Sequence, residues 1–333
     1  MYNLGCGTVI LENKPSIISC AAVVGKKEGD GPYGKYFDEI ERDEYFGTDS
    51  WEKAESELLR RGVEHALSKA SLKKEELDFA IAGDLLNQCV SSGYALREFN
   101  IPFLGIYGAC STMAESLALG SIICAGGGAK RVLCSTSSHF CSAEKQFRAP
   151  LEYGGQRTPS AQWTVTGSGS VILGFDDNAP RIEAVTCGKI VDLGVKDVTN
   201  MGAAMAPAFV DTLKNHLERL GRKPSYYDII LSGDLGIIGK RIAKELFIKE
   251  GLSDILNYDD CGAMIFDESQ DVHAGGSGCG CAASILCGYI LPQMKKKNIR
   301  RVLFAATGAL MSPTTTFEGE SIPSISHAIS IEA

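Results

Sequence analysis

The residue best placed to do chemistry is Cys110. It stands in Gly108-Ala109-Cys110-Ser111-Thr112-Met113-Ala114-Glu115, directly before Ser116-Leu117-Ala118-Leu119-Gly120-Ser121-Ile122-Ile123-Cys124, a run that is apolar or small almost all round. A helix without a polar face is a buried helix. Cys110 would sit at its mouth, where backbone N–H groups lack intrahelical partners and the helix dipole is positive. That setting lowers a thiol pKa and can hold an anion. Against it stands the commonest use of a free cysteine, as a small buried hydrophobe. The flanking Gly-Ala and Ser-Thr give the two uses about equal weight here.

Other residue types narrow the chemistry. The 12 cysteines include no Cys-x-x-Cys pair and the 5 histidines no His-x-x-x-His pair. This pattern predicts reduced, buried thiols and no structural metal. With 33 Lys and Arg against 41 Asp and Glu, the net charge of −8 leaves no basic stripe for nucleic acid. No export signal is read at the N-terminus. The longest strongly apolar uncharged run, around Cys281 to Leu291, falls well short of the ~20 residues that span a bilayer. A soluble protein of cytoplasmic type is expected, one that can still lie against a membrane. Gly278-x-Gly280-x-x-Ala283 lacks the later acidic residue of a dinucleotide site. Ala125 to Arg131 reads as a helix-ending glycine turn, and no Gly-x-Ser-x-Gly elbow is present.

The elements around Cys110 occur twice. Residues 25–50, rich in Gly, Asp and Glu, read as an exposed loop. Asp49 and Glu52 have capping-box spacing before an amphipathic helix from Trp51 to Ala70. Asp78-Phe79-Ala80-Ile81-Ala82 then reads as a strand ending at Gly83-Asp84-Leu85. In the second half a helical pattern over 202–220 precedes Asp228-Ile229-Ile230-Leu231-Ser232-Gly233-Asp234-Leu235. A second uncharged helix opens at Gly278-Cys279, as the first opens at Cys110. Lys130-Arg131-Val132-Leu133 is answered by Arg300-Arg301-Val302-Leu303. Four elements in one order predict an internal duplication, with halves at about 1–178 and 179–333. Two charge-free helices must each be covered on both sides, which predicts an α/β architecture layered αβαβα.

This design resembles the thiolase fold, and the chain resembles one family within it, the stage V sporulation protein AD family of endospore-forming bacteria. The strings that carry the resemblance in the first half include Ala82-Gly83-Asp84-Leu85-Leu86-Asn87-Gln88, Tyr107-Gly108-Ala109-Cys110-Ser111-Thr112, Thr136-Ser137-Ser138-His139, Gln146-Phe147-Arg148 and Glu152-Tyr153-Gly154-Gly155-Gln156. In the second half they include Asp259-Asp260-Cys261-Gly262, Ala274-Gly275-Gly276-Ser277-Gly278-Cys279 and Ala306-Thr307-Gly308-Ala309-Leu310. They spread over nearly the whole chain.

The resemblance implies a protein that binds dipicolinic (pyridine-2,6-dicarboxylic) acid, with or without calcium, for uptake into the developing spore. It also implies membrane-embedded partners from the same operon, peripheral association with the spore inner membrane, and a homodimer paired through the first half. A condensing enzyme of this fold adds a His and an Asn or second His from the second half to its cysteine. Here those places read Ser232-Gly233-Asp234-Leu235 and Gly275-Gly276-Ser277-Gly278. The expectation is therefore a non-catalytic ligand-binding protein with no cofactor, Cys110 marking a vestigial nucleophile position and His139 its candidate partner; His273 is the weaker substitute. The alternative is an acyltransferase or condensing enzyme using Cys110. The candidate ligand-binding set is Cys110, His139, Asp84, Asn87, Arg148, Asp234, Ser277 and Gly308, with Arg157 a further possible carboxylate donor. Asp84, Asn87 and Asp234 would repel a bare dicarboxylate unless calcium accompanies it, or unless they cap helices.

Overall fold

The computed structural model describes residues 1–147 and 157–333. Ten strands form its frame. In the first half they are β1 (Ser16–Val24), β2 (Phe79–Gly83), β3 (Phe103–Gly105), β4 (Val132–Ser138) and β5 (Gly167–Gly174). In the second half they are β6 (Arg181–Cys187), β7 (Ile229–Ser232), β8 (Tyr258–Asp260), β9 (Arg301–Ala309) and β10 (Ser324–Glu332). The first five lie in the order β3-β2-β4-β5-β1 and the second five in the order β8-β7-β9-β10-β6. Strand directions also match. β2 runs parallel to β3 and β4, as β7 does to β8 and β9. β5 and β10 are antiparallel to both of their neighbours. The arrays meet where Arg181 pairs with Ser16.

Six helices matter for the site: α1 (Trp51–Ala70), α2 (Val90–Leu96), α3 (Thr112–Ala125), α4 (Met201–Leu220), α5 (Gly236–Lys249) and α6 (Cys279–Ile285). The outer helices are amphipathic because only one face meets a sheet. α1 buries Ala54, Leu58, Val63 and Ala66 against β1, β4 and β5. Its N-cap is Ser50, whose Oγ accepts from the Lys53 N–H at 3.3 Å, whereas Asp49 pairs with the Lys53 ammonium. The expected Asp49 capping box therefore gives way to the residue beside it. α4 covers β9 and β10 and packs on α5. It ends at Gly221, in the left-handed conformation that glycine adopts without strain.

The central helices carry no such asymmetry. α3 packs against β2, β4 and β5 on one side and against β6, β9 and β10 on the other. α6 touches α3 and lies on β1, β4 and β5, and it continues through a π turn, Leu286–Ile290, to Lys295. A Cβ on Gly280 would stand 2.2 Å from the Gly167 carbonyl oxygen, so the helix backbone rests directly on β5. The result is five layers, αβαβα, as the two charge-free helices require. Residues 25–50 depart from a simple loop. They hold the short helix Lys26–Gly29 and a two-residue strand, Glu39–Ile40, beside β1. Glu28 of that helix is fully buried.

Candidate functional site

The site begins where β3 ends. Ala109 takes φ +48°, a left-handed backbone that is strained for a residue with a Cβ. Ala109–Ser111 form one 3-10 turn, and the α-helix proper opens at Thr112, so Cys110 stands just before α3 rather than as its first residue. Side chains close the turn. Ser111 Oγ donates to the Gly108 carbonyl at 2.6 Å, and Thr112 Oγ1 donates to that of Ala109 at 2.7 Å. From the other half, β9 presses on the same turn at Gly308, where a Cβ would lie 2.1 Å from the Gly108 oxygen. Gly308 thus shapes the turn by letting two backbones meet.

In front of the turn is a cavity of about 520 Å³. Cys110, 6% exposed, opens into it beside Ala109, Tyr107, Asn87 and Gln88, and the second half contributes Met201 and the stretch from Ala309 to Pro313. Its polar groups are the amides of Asn87 and Gln88, the Tyr107 phenol, the Ser312 hydroxyl and the Cys110 thiol. Among the described residues, no histidine, carboxylate or cation lines it. Burial and the neighbouring thiols push the Tyr107 phenol up to about 12, so it stays a neutral donor. Behind the turn, burial raises the carboxyl of Glu115; its Oε2 is buried without a hydrogen-bond partner and would stand 2.5 Å from a Cβ on Gly108. An uncharged Glu115 suits that place better than an ion.

The expected site residues divide into two groups. Cys110 and Asn87 line the cavity. Asp84 does not, but it builds the wall. Its carboxylate is fully buried and accepts from Leu86 N at 2.9 Å, Ser92 N at 2.8 Å and Ser92 Oγ at 2.7 Å. It thereby folds the loop bearing Asn87 and Gln88 and caps α2. Burial raises its pKa against those donors. Asp234 and Ser277 face one another away from the cavity. The Asp234 Oδ2 accepts from Gly278 N at 2.9 Å and from Ser277 Oγ at 3.2 Å, closing the mouth of α6.

His139 corrects the expectation of a partner for Cys110. It lines a separate small cavity with Phe46, Phe140 and Trp163. Its Nδ1 accepts from Cys141 N at 3.2 Å, so Nε2 carries the proton and donates to the Glu44 carbonyl at 2.9 Å. Burial lowers its pKa to about 4, and the ring is a neutral structural group. His273 likewise lies elsewhere, its Nδ1 donating to the Thr158 carbonyl at 2.8 Å. Arg157 is also away from the cavity: its guanidinium covers Trp163 at 4.9 Å and bonds the carbonyls of Ala161 and Val272. Arg148 falls outside the described residues.

Sequence reasoning missed the second-half wall. Ser312 caps the short helix Pro313–Phe317, accepting from Thr315 N at 3.2 Å. The signal was present as Ser-Pro-Thr-Thr, a cap followed by proline at the first helical position.

For calcium, the test is the donor set. No group of three or more His, Cys, Asp or Glu side chains is arranged to hold a metal ion among the described residues. A resident ion does not fit them. Nor is any helix among them long and apolar enough to cross a membrane.

Comparison with known proteins fits this geometry. The family model for stage V sporulation protein AD matches residues 5–332. The stage V sporulation protein AD of Bacillus subtilis (strain 168) is 43% identical over 328 residues, spanning 98% of this chain and 97% of that one. Among solved structures, 3-oxoacyl-[acyl-carrier-protein] synthase III from Aquifex aeolicus VF5 superposes with a TM-score of 0.57 at 14% identity, covering 96% of this chain and all of that one. Human mitochondrial 3-ketoacyl-CoA thiolase in complex with CoA gives 0.60 at 12% identity, covering 98% and 99%. Likeness at such identity establishes the fold alone, and that fold is thiolase-like. The family match over almost every residue goes further: the chain belongs to the stage V sporulation protein AD family.

Proposed function

We propose that this sporulation protein binds dipicolinic acid in the Cys110 cavity without turning it over, and serves its uptake into the developing spore. The observation that carries this reading is a cavity of about 520 Å³ whose described lining is neutral: the amides of Asn87 and Gln88, the Tyr107 phenol, the Ser312 hydroxyl and the Cys110 thiol. A condensing reaction needs a base for the thiol and donors for the oxyanion. The second-half positions that would supply them hold Asp234 and Ser277, which bond to each other and to the α6 backbone.

The same lining bears on calcium. Burying a bare dianion among neutral groups is costly. A one-to-one calcium chelate of dipicolinate is neutral, flat and rich in acceptors, which suits Asn87, Gln88 and Tyr107. Calcium in this reading enters with the ligand and not as a resident ion. If a bare dianion binds instead, Arg148, which falls outside the described residues, is the cation to examine.

The protein is further proposed to act as a homodimer beside the spore inner membrane with membrane-embedded partners. The exposed edge strand β3, with Phe103 at 39% and Leu104 at 44% exposure, supports pairing with a second copy. Titration calorimetry with dipicolinate, with and without calcium, tests the binding claim. Saturable heat, larger with calcium, is expected; absence of heat at millimolar ligand overturns it. Intact-mass measurement after incubation with acyl-CoA separates the alternative, since an adduct lost in Cys110→Ala would make the protein an acyltransferase.

A further inference from the structure

The end of the molecule opposite the cavity carries a different signature. Gln293-Met294-Lys295-Lys296-Lys297-Asn298-Ile299-Arg300-Arg301 holds five cations and no carboxylate, in a chain of net charge −8. All five side chains are exposed, and none forms an ion pair among the described residues. Ala333, the last residue, donates its N–H to the Arg300 carbonyl at 2.8 Å, and Arg301 lies over the Tyr226 ring at 4.4 Å; the side-chain carboxylates of Asp228 and Glu332 beside the run are engaged. Asp228 accepts from the backbone N–H of Arg300 and Arg301 at 2.6 and 3.0 Å, and Glu332 pairs with Lys14 at 2.6 Å. One lysine would suffice to complement the C-terminal dipole of the helix Leu291–Lys295. Three in a row, followed by two arginines, exceed that need.

The run borders a cleft of about 190 Å³ whose lining combines Lys295 and Lys296 with Ile18, Leu291 and Pro292; Lys69, also on its wall, is held by Asp38 at 2.7 Å. Lysines over an apolar floor match an amphiphile with an anionic head, not a fully hydrated anion. The placement also sets an orientation. β9 starts at Arg301 in the run and ends at Ala309 in the cavity wall, which separates the two by about 26 Å at 3.3 Å per residue.

We propose that the Lys295–Arg301 face is the surface by which this protein docks on an anionic lipid bilayer, with the Cys110 cavity opening away from it. The proposal rests on the reading that the protein works beside a membrane, and is independent of what the cavity binds. A body of net charge −8 is repelled by an anionic surface in most orientations, so one dense basic face selects a single approach. Basic clusters of this size bind acidic lipid with about a fivefold gain per residue. The short apolar cleft beside the lysines gives a headgroup its glycerol contact, which a purely acidic protein partner does not require.

The test is flotation of the full chain with vesicles of phosphatidylglycerol and phosphatidylcholine, compared with phosphatidylcholine alone. Binding to the anionic vesicles that falls as salt rises from ~0.05 to ~0.5 M is expected. The triple variant Lys295→Gln, Lys296→Gln, Lys297→Gln should lose on the order of a hundredfold in partitioning. The same neutralisation on α5, at Arg241, Lys244 and Lys249, should lose far less. Thermal melting confirms that each variant is folded, and millimolar inorganic phosphate distinguishes a bilayer from a free anion. If wild type floats but the triple variant floats equally well, membrane association stands and this face is wrong. If wild type ignores anionic vesicles at low salt, or phosphate competes fully, lipid docking is overturned.

Discussion

Asp84 and Asp234 end equivalent strands in the same Gly-Asp-Leu string, yet they close different things. Asp84 turns back into its own half and folds the loop that walls the cavity. Asp234 reaches forward to Ser277 and Gly278 and shuts the mouth of α6. The cysteines that follow differ accordingly. Cys110 opens into a cavity, whereas Cys279 is fully buried and donates to the Ser137 carbonyl at 2.9 Å. One duplicated frame thus keeps one helix mouth open and uses the other as core. The carboxylate that ends the second-half strand satisfies buried donors.

That contrast breaks most visibly at the aspartates. Asp234→Ala removes the acceptor for Gly278 N and Ser277 Oγ in a fully buried place. Stranding such donors should cost about 3 kcal/mol of stability in urea unfolding. Asp84→Ala should cost less, about 2 kcal/mol: the freed donors on Leu86 and Ser92 are buried, but the loop between them runs through exposed Asn87 and Gln88 and can relax to bring them to water. Its larger effect should fall on ligand heat, since Asn87 and Gln88 lose their support. Equal stability losses with unchanged ligand binding in both variants would erase the distinction drawn between the halves.

The sheet edges sharpen it from outside. β8, the outer strand of the second array, holds Tyr258 and Asp260 buried, while every residue of β3, the corresponding strand of the first, is exposed. An open edge with apolar side chains invites a second copy, and an inward-pointing charge prevents that pairing. Leu104→Glu should convert a dimer to a monomer by light scattering at micromolar concentration, with little change in melting temperature of the monomer. A wild-type monomer at that concentration would remove the dimer from the proposal.

The layered fold was legible because its signals are local and repeated: two charge-free helices, two Gly-Asp-Leu strand ends, two Arg-Val-Leu strand starts. Cys110 and Asn87 were legible for the same reason, lying within a string before a buried helix. His139 was not, because its spacing after β4 says nothing about which way the ring turns; only the bonds to Cys141 N and the Glu44 carbonyl decide that. Asp234 misled because a strand-end carboxylate looks alike whether it meets a ligand or a backbone N–H 44 residues away. In the wall from Leu310 to Pro313, Ser-Pro-Thr-Thr marks a helix start, but which cavity that start borders depends on two halves meeting, which no local pattern records.

His139 offers a test by pH. Its folded pKa of about 4 lies below the ordinary 6.5, so the unfolded chain binds more protons between those values. Its neutral burial therefore contributes stability above pH ~6.5 that is lost as pH falls towards 4. His216 and His327 are depressed in the same direction, whereas Glu28 and Asp260, raised to about 7, act oppositely. The informative measurement is the difference between wild type and His139→Gln, which keeps a donor for Glu44. Wild type should lose more stability than the variant on acidification from pH 6.5 to 4, while ligand heat at neutral pH stays the same. Loss of ligand binding in the variant would return His139 to the site.

The smallest effect concerns the two thiols directly. Cys279→Ala deletes a buried sulfur and its bond to the Ser137 carbonyl, which should cost about 1–2 kcal/mol. Cys110→Ala faces a cavity, where water can fill the space, and should cost well under 1 kcal/mol. The ligand should rank the pair in the reverse order. Losing the Cys110 sulfur changes the shape of the cavity wall and should weaken dipicolinate by a few-fold through packing alone; Cys279→Ala should leave it unchanged. Calorimetry and urea melts on the two variants read both rankings at once. The same order in both measurements would mean that the two helix mouths are alike after all. A collapse of ligand binding by several orders of magnitude in Cys110→Ala would point instead to a bond made by the sulfur itself, which a non-catalytic cavity does not need.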